Sequence, residues 1–187
     1  MLLRPTPLSL ALILGLAMPS AAQQAAPEAP LAAVPAGPAD VESIDAILAA
    51  LYDVISGPAG ERDWDRFRSL FTPNAILVPM VPTPDGSTPV RVLTAEDYIT
   101  RVGPFFGENA FYEVEAGRTL DRYGNVANAM SAYESRRSPE EEPFARGINT
   151  ITLVTDGTRW YVASIAWDQE REGNPFPPEW MPLETSR

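Results

Sequence analysis

The sequence contains no cysteine and no histidine, and all 14 of its basic residues are arginine, so lysine is absent too. Without cysteine or histidine the chain can form no disulfide, and it offers neither the thiolate nor the imidazole ligands of zinc sites. The same absences exclude Ser-His-Asp and Cys-His nucleophilic catalysis, and the absence of lysine excludes Schiff-base chemistry. Proton transfer and charge stabilisation would depend on Asp, Glu, Tyr and Arg, and we expect no cofactor and no metal ion.

Positive charge is scarce relative to negative charge. The chain of 187 residues has 25 Asp and Glu against 14 Arg, so its formal net charge is -11 at pH 7. Anionic polymers and anionic lipid surfaces are repelled by such a chain, so we expect neither nucleic acid nor a membrane surface as a partner. Hydrophobic residues make up 45% of the chain, which is enough for the core of one domain.

The N-terminal segment has the pattern of a bacterial signal peptide. Arg4 supplies the positive start, residues 8–18 form an apolar run too short to span a bilayer, and residues 20–22 are small, as at a cleavage site. We therefore expect cleavage near Ala22 and export to the periplasm or the medium, without a membrane anchor. The alternative is a short buried helix. Residues 23–39 are rich in Ala and Pro, which predicts an extended linker.

Hydrophobic spacing predicts one domain over residues 40–180, followed by a tail over 181–187. Apolar residues at helical spacing indicate three helices, near residues 40–55, 63–71 and 94–106. A short strand is predicted between the last two helices, and four further strands follow in hairpin order, near residues 75–81, 111–121, 125–136, 144–155 and 158–169. Helices segregated from a sheet of hairpin-linked strands make an α+β fold.

Turn positions predict which residues lie opposite each other across the last four strands. Two-residue turns at 123–124 and 156–157, with a longer loop over 137–143, place four residues in one row: Glu113, Glu134, Arg146 and Trp167. In this register Arg146 relieves the repulsion between Glu113 and Glu134. Other residues on the same predicted face include Glu115, Met130 and Tyr161.

This row has two interpretations. Glu134 and Arg146 can form an ion pair with a purely structural role, as ion pairs on sheets commonly do. Alternatively, the row is the charged floor of a pocket roofed by the helices. The second interpretation makes all of these side chains candidates for the ligand pocket: Glu113, Glu115, Met130, Glu134, Arg146, Tyr161 and Trp167.

Several stretches resemble the nuclear transport factor 2-like superfamily, which includes SnoaL-like proteins. RDWDRFRSLFTPNAILV is similar to its second helix and first strand. GRTLDRYGNVANAMSAYESR, FARGINTITLVTDGTRWYVASIAWD and NPFPPEW resemble a bacterial exported subfamily. The resemblance covers about residues 40–180 and implies a cone-like curved antiparallel sheet with three helices packed on its concave face.

What the resemblance implies for activity is limited. The superfamily includes ketosteroid isomerases, polyketide cyclases, epoxide hydrolases and non-catalytic binding domains. The isomerase acids do not match: Val78 precedes Pro79 where the resemblance would place a catalytic Asp, and residues 144–155 contain no Asp or Glu. Tyr52 resembles the third isomerase group and joins the pocket candidates. We therefore expect no isomerase activity.

The resemblance also orients the sheet. Ala163 and Trp167 resemble positions that line the isomerase pocket, which implies that the face carrying Arg146 lies inward, against the helices. The face carrying Ile151 and Val162 would then lie outward, and such an apolar surface predicts a homodimer. The alternative is that the Pro-rich segment near the C-terminus covers this face.

Three functions follow as hypotheses. The first is an exported protein that binds a small molecule between helices and sheet, without catalysis. The second is a carboxylate-driven hydrolase or lyase, in which Glu113 or Glu134 acts with Arg146. The third is a dimeric structural or interaction module whose pocket is filled by Met130, Tyr161 and Trp167. An open pocket with a buried carboxylate would favour the enzyme.

Overall fold

The computed structural model describes residues 33–180. Its helices are α1 Pro38–Val41, α2 Ile44–Ile55, α3 Trp64–Ser69 and α4 Ala95–Glu108. Its strands are β1 Phe71–Met80, β2 Tyr112–Tyr123, β3 Val126–Arg136, β4 Ala145–Thr155 and β5 Trp160–Gln169, and a short 3-10 turn covers Pro178–Trp180. The predicted signal peptide, most of the linker and the tail lie outside the described residues. Within residues 33–180, no helix is long and apolar enough to cross a membrane.

The helix starts follow from capping side chains. Asp63 accepts a hydrogen bond from the Arg66 amide at the start of α3, and Thr94 and Asp97 form a capping box at the start of α4, both at predicted positions. The first predicted helix is divided in two. Asp40, at the predicted start, lies inside α1, and Ser43 caps α2 by accepting from the Ala46 amide.

The five strands form one sheet in the order β1-β5-β4-β3-β2. β2 to β5 pair antiparallel in chain order, which confirms the predicted meander. β1 pairs parallel with β5, so the sheet is mixed at this edge rather than wholly antiparallel. Pro79 lies in this edge strand, where its missing amide hydrogen disrupts no ladder on the open side.

Two strands each contain one extra residue. The pairing of β2 with β3 shifts between Glu115 and Gly117, and the pairing of β5 with β4 shifts between Val162 and Ser164. Ala116 and Ala163 are therefore β-bulges. Because side chains alternate with a period of two, one extra residue moves every side chain beyond it to the opposite face.

The predicted row is wrong. Both predicted turns are displaced, since residues 124–125 join β2 to β3 and residues 156–159 join β4 to β5, which shifts partners by two residues and keeps the faces. The bulges change the faces. Glu134 does lie opposite Arg146, as predicted. However, Glu113 lies opposite Ser135, and Trp167 lies opposite Asn149. Both Glu113 and Trp167 lie beyond a bulge from the hairpin that was used to set their register. They therefore share the face opposite to the one that carries Glu134 and Arg146.

The predicted orientation of the sheet was also wrong. The helices pack on the face that carries Ala129, Ile151 and Val162, and these three side chains are fully buried in the core. The Arg146 face is consequently the outer one. The surface predicted for a homodimer is thus buried by the chain's own helices. The homodimer stays a prediction, and the outer face offers it other exposed apolar side chains: Val114, Val126 and Met130.

Candidate functional site

A cavity of about 420 Å³ lies between the helices and the inner face of the sheet. This volume falls in the range of small-molecule sites, about 300–1,000 Å³. α2 and α4 contribute one wall, through Leu51, Ile55 and Val102, and the sheet contributes the other, through Ile165 and Trp167. Most of the lining is apolar, so the cavity would favour a ligand with an apolar body.

Aromatic rings form much of the wall. The Phe67 ring contacts those of Phe71 and Tyr98, with centroids 4.7 Å and 5.3 Å away, and the Tyr98 ring meets the Trp167 ring edge-on at 6.1 Å. These rings come from α3, β1, α4 and β5, so their contacts join four elements around the cavity. Packing of this kind holds the wall in place without a ligand.

Glu113 is the acidic residue of the lining. The Ser135 hydroxyl donates to its Oε2 at 2.7 Å, and the Glu113 amide donates to the Ser56 hydroxyl at 2.9 Å. Burial raises the pKa of Glu113 from 4.5 to about 7, although the hydrogen bond from Ser135 acts in the opposite direction. Its Oε1 makes no hydrogen bond within residues 33–180, so one carboxyl oxygen is left for a ligand.

Tyr133 brings an unpaired hydroxyl to the same lining. Its side chain is buried, and within the described part of the chain its hydroxyl has no hydrogen-bond partner. Burial raises the pKa of the Tyr133 hydroxyl well above its ordinary value, and the nearby Glu113 carboxyl acts in the same direction. The Gln169 side chain acts weakly in the opposite direction, although it does not reach hydrogen-bond geometry. A buried hydroxyl without a partner costs about 1–3 kcal/mol. The hydroxyl oxygen is inaccessible to solvent, so a ligand atom could recover this cost only if the Tyr133 ring turned toward the cavity.

The hydroxyl of Tyr52 is committed to a buried network. Asn149 Nδ2 donates to it at 3.0 Å, and it lies 2.6 Å from the Ser131 hydroxyl. The Ser131 hydroxyl is 2.5 Å from Glu115 Oε1, which as a carboxylate can only accept, so Ser131 must donate there. Tyr52 must then donate to Ser131. Its proton is therefore not available to a ligand in this arrangement.

The structure divides the predicted pocket residues into two groups. Tyr52, Glu113 and Trp167 line the cavity. Glu115 lies two hydrogen bonds behind the lining residue Tyr52, beyond Ser131, and is paired with Arg118. The remaining candidates do not line it: Met130, Glu134, Arg146 and Tyr161. Of these, Met130 is exposed on the outer face, and the Tyr161 hydroxyl donates to Asp156 at the last hairpin.

Glu134 and Arg146 form a structural ion cluster on the outer face. Arg146 Nε donates to Glu134 Oε1 at 3.0 Å, and Arg136 pairs with Oε2 of the same carboxylate. Arg146 also lines a more open cleft of about 290 Å³ outside, with Glu142 and Glu170. Of the two interpretations of the row, the ion pair is the one the geometry supports, and the charged pocket floor was wrong.

Sequence reasoning missed several polar residues of the lining: Tyr98, Tyr133, Ser135 and Asn149. Tyr133 and Asn149 share the face of Ile151, which was predicted to lie outward. Ser135 follows Glu134 on β3, so its side chain also lies on that face. A usable signal was present, since Tyr133 and Asn149 lie at even spacing from Ala129 and Ile151 and so share the apolar face that a core must cover. Within residues 33–180, no group of acidic side chains is placed to hold a metal ion.

Comparison with known proteins finds similarity in structure but not in sequence. No protein-family model and no curated protein matches the chain. A Nostoc punctiforme protein of unknown function with a cystatin-like fold superposes with a TM-score of 0.53 at 9% identity, covering 68% of this chain and 88% of that one. A Kribbella flavida protein gives 0.50 at 13% identity, covering 71% and 93%.

A third solved structure is described as an NTF-2-like protein of unknown function from Silicibacter pomeroyi. It superposes with a TM-score of 0.47 at 11% identity and covers 69% of this chain and 94% of that chain. Identities this low concern the fold alone. The two matches at 0.50 and above, together with the helices packed inside a curved five-stranded sheet, confirm the predicted fold.

Proposed function

We propose, from the premise that this chain has the cone-shaped nuclear transport factor 2-like fold, that it binds a small, largely apolar molecule between helices and sheet. The observation that carries the proposal is the cavity of about 420 Å³, which is lined by aromatic side chains and left open. Of the three side chains that were expected to fill it in an interaction module, Met130 and Tyr161 do not reach it, and Trp167 forms part of its wall without closing it. Aromatic walls with a few convergent polar groups are typical of small-molecule sites.

The polar groups restrict the chemistry of the ligand. The protonated carboxyl of Glu113 is a donor at the cavity below pH 7, and the Tyr133 hydroxyl, which has no acceptor within the described chain, becomes a second donor if its ring turns toward the cavity. Both therefore favour a ligand whose buried end is a hydrogen-bond acceptor, such as a carbonyl or ether oxygen. The stacked rings of Phe67 and Tyr98 favour a flat body.

A neutral fluorescent probe tests this proposal. N-phenyl-1-naphthylamine is flat and uncharged, and we expect it to bind one site per chain with a rise in fluorescence. Val102→Trp on α4 adds a large ring to the lining and should weaken probe binding about tenfold or more. Binding by a Val102→Trp variant that equals that of the wild type would place the probe elsewhere and contradict the proposal.

A matched control comes from the same helix. Thr100 is exposed on α4 and does not line the cavity, so Thr100→Trp adds the same ring outside it. We expect probe affinity close to that of the wild type. If both tryptophan variants lose binding equally, the loss reflects damage to the helix rather than a filled cavity, and the unfolding midpoint of each variant distinguishes the two cases.

A second function, proton transfer by Glu113, is favoured by one specific observation. A carboxyl whose pKa is about 7 is half ionised at neutral pH and can both take and return a proton there. The predicted catalytic set of Glu113, Glu134 and Arg146 is not assembled, because the last two lie on the outer face. Glu113 would act alone, with Ser135 fixing its orientation.

Solvent deuterium exchange tests this second function. Glu113 would take a proton from the carbon next to the carbonyl of a flat ketone such as 2-tetralone, leaving an enolate. It would then return a deuteron taken from D₂O. We expect the wild type to incorporate deuterium into the ketone and Glu113→Gln to incorporate none. Glu115→Gln is the control: it should incorporate deuterium like the wild type, because Glu115 lies behind the lining. Equal incorporation by wild type and Glu113→Gln would remove this function and leave the binding proposal intact.

A further inference from the structure

Two arginines line the cavity on its α4 side. Arg101 is exposed on α4, and Arg91 is half-buried in the segment that leads to that helix. The exposed residues of the lining next to them include Val81 and Phe105. This exposed part is the rim of the cavity. The rim carries the positive charge of two guanidinium groups, whereas the protein as a whole has a net charge of -11.

These two side chains differ from the other arginines within residues 33–180. The others are held by carboxylates, by backbone carbonyls or by aromatic rings; Arg62, for example, donates to four backbone carbonyl oxygens. Neither Arg91 nor Arg101 makes a salt bridge, a hydrogen bond or a ring contact within this range. Asp97 lies one turn before Arg101 on α4, but its carboxylate accepts hydrogen bonds from Thr94 and makes no salt bridge with Arg101.

Polarity in the cavity is therefore divided between two ends. The buried end holds Glu113 and the unpaired hydroxyl of Tyr133, and the rim holds two cations without partners in the described chain. An anionic group at the buried end would face the Glu113 carboxyl, which it would repel whenever that carboxyl is ionised. At the rim the same group would meet two guanidinium groups, which bind carboxylates, sulfonates and phosphates through paired hydrogen bonds.

We infer that the ligand is an amphipathic anion, with a flat apolar body in the cavity and its charged group at Arg91 and Arg101. This inference rests on the proposed function, since it assigns the ligand class of the same cavity. The chemical class is an aromatic or alicyclic ring system that carries a carboxylate, sulfonate or phosphate at one end. Because the rest of the protein carries a net negative charge that repels anions, binding of an anion at this site depends on the two arginines.

Two probes with the same ring system test the inference. 8-Anilino-1-naphthalenesulfonate differs from N-phenyl-1-naphthylamine by one sulfonate group. We expect the sulfonate to bind more tightly at low ionic strength, to compete with the neutral probe, and to lose its advantage as salt is added. Arg91→Gln and Arg101→Gln should each weaken sulfonate binding several-fold and weaken binding of the neutral probe much less, because only the sulfonate carries a charge for the guanidinium groups to bind.

Arg122→Gln is the matched control. Arg122 packs over the Trp160 ring and does not line the cavity, so this variant removes the same charge elsewhere. We expect it to change sulfonate affinity much less than Arg91→Gln or Arg101→Gln does. Unfolding midpoints close to that of the wild type are expected for both rim variants, because neither side chain has a partner to lose in residues 33–180.

The outcomes separate the two proposals. If the neutral probe binds and Val102→Trp blocks it, but the sulfonate binds no more tightly, the inference of an anionic ligand is overturned and the proposed function stands. A loss of sulfonate affinity in Arg122→Gln equal to that in the rim variants overturns the inference in the same way. Binding of neither probe overturns both.

Discussion

Tyr133 and Gly147 lie directly opposite each other on β3 and β4, and a Cβ at position 147 would come within 2.5 Å of the Tyr133 hydroxyl oxygen. The same Cβ would lie 2.3 Å from the backbone oxygen of Asp168, which cannot turn away. Gly147→Ala should therefore destabilise the fold by about 1–3 kcal/mol. It should also weaken binding of N-phenyl-1-naphthylamine, because Tyr133 must move. Chemical denaturation and probe titration measure the two effects.

Gly117→Ala is the control for this change. Gly117 also lies in a strand, and a Cβ there would meet no atom within 4 Å. Alanine in place of such a glycine should alter stability by less than about 1 kcal/mol, in the stabilising direction. A Gly147→Ala variant that is as stable as Gly117→Ala would mean that the Tyr133 ring does not occupy the space above Gly147.

The buried network around Tyr52 predicts a structural rather than a catalytic role for its hydroxyl. Tyr52→Phe removes the acceptor of Asn149 and should cost about 1–2 kcal/mol. Because Tyr52 also donates to Ser131, combining Tyr52→Phe with Ser131→Ala should cost less than the two single changes together. Tyr123→Phe, on a side chain that is 92% exposed, should have no effect on stability. Additive losses in the double variant would show that no such network forms.

Arg146 is expected to affect stability and not ligand binding. Arg146→Ala leaves Glu134 with Arg136 as its remaining partner, so the cost should be about 1–3 kcal/mol, below that of an unpaired buried charge. Arg146→Lys should restore part of this loss, because an ammonium lacks the planar fork. Probe affinity should equal that of the wild type in both variants. A several-fold loss of affinity would return Arg146 to the ligand site.

The pKa of Glu113 predicts a stability that falls with rising pH. Burial holds this pKa at about 7, whereas the ordinary value is 4.5. Between these values the unfolded chain releases the proton and the folded chain keeps it. The stabilisation is therefore complete below about pH 4.5 and is lost as pH rises through about 7. The loss should be on the order of 2–3 kcal/mol.

Glu113→Gln isolates this effect from other titrating groups. The difference in unfolding free energy between wild type and Glu113→Gln should decline between about pH 4.5 and 7 and be constant above it. Glu115→Gln serves as the control, because Glu115 is paired with Arg118 behind the lining. If the unfolding free energies of the wild type and Glu113→Gln change in parallel between about pH 4.5 and 7, the Glu113 carboxyl is well solvated and this prediction fails.

The elements of this fold could be predicted because their signals are local. Helical spacing of apolar side chains, the capping residues Asp63 and Thr94 and the glycines of the hairpin turns each act within a few residues. The Glu134–Arg146 pair was also predictable, since β3 and β4 have no bulge between them. Neither the elements nor this ion pair required knowledge of contacts between residues far apart in the chain.

The candidate site could not be predicted because its register depends on two bulges. Ala163 has no local signal beside it, and the one cue at Ala116 is the neighbouring Gly117, because a glycine inside a strand often marks a bulge. Each reverses the face of the side chains beyond it, so Glu113 and Trp167 were joined to Arg146 by an argument that holds only for regular ladders. The tertiary packing of helices on the sheet decides where such bulges form.

The ionisation of Glu113 provides the most direct test of the central claim, that a ligand cavity ends at this carboxyl. Its pKa can be measured by NMR on protein labelled with ¹³C at the glutamate carboxyl groups, with Glu113→Gln identifying the signal. We expect a pKa of about 7 in the free protein and a higher one with saturating N-phenyl-1-naphthylamine, because the probe displaces water from the carboxyl. A pKa near 4.5, or one that the bound probe leaves unchanged, would contradict the claim.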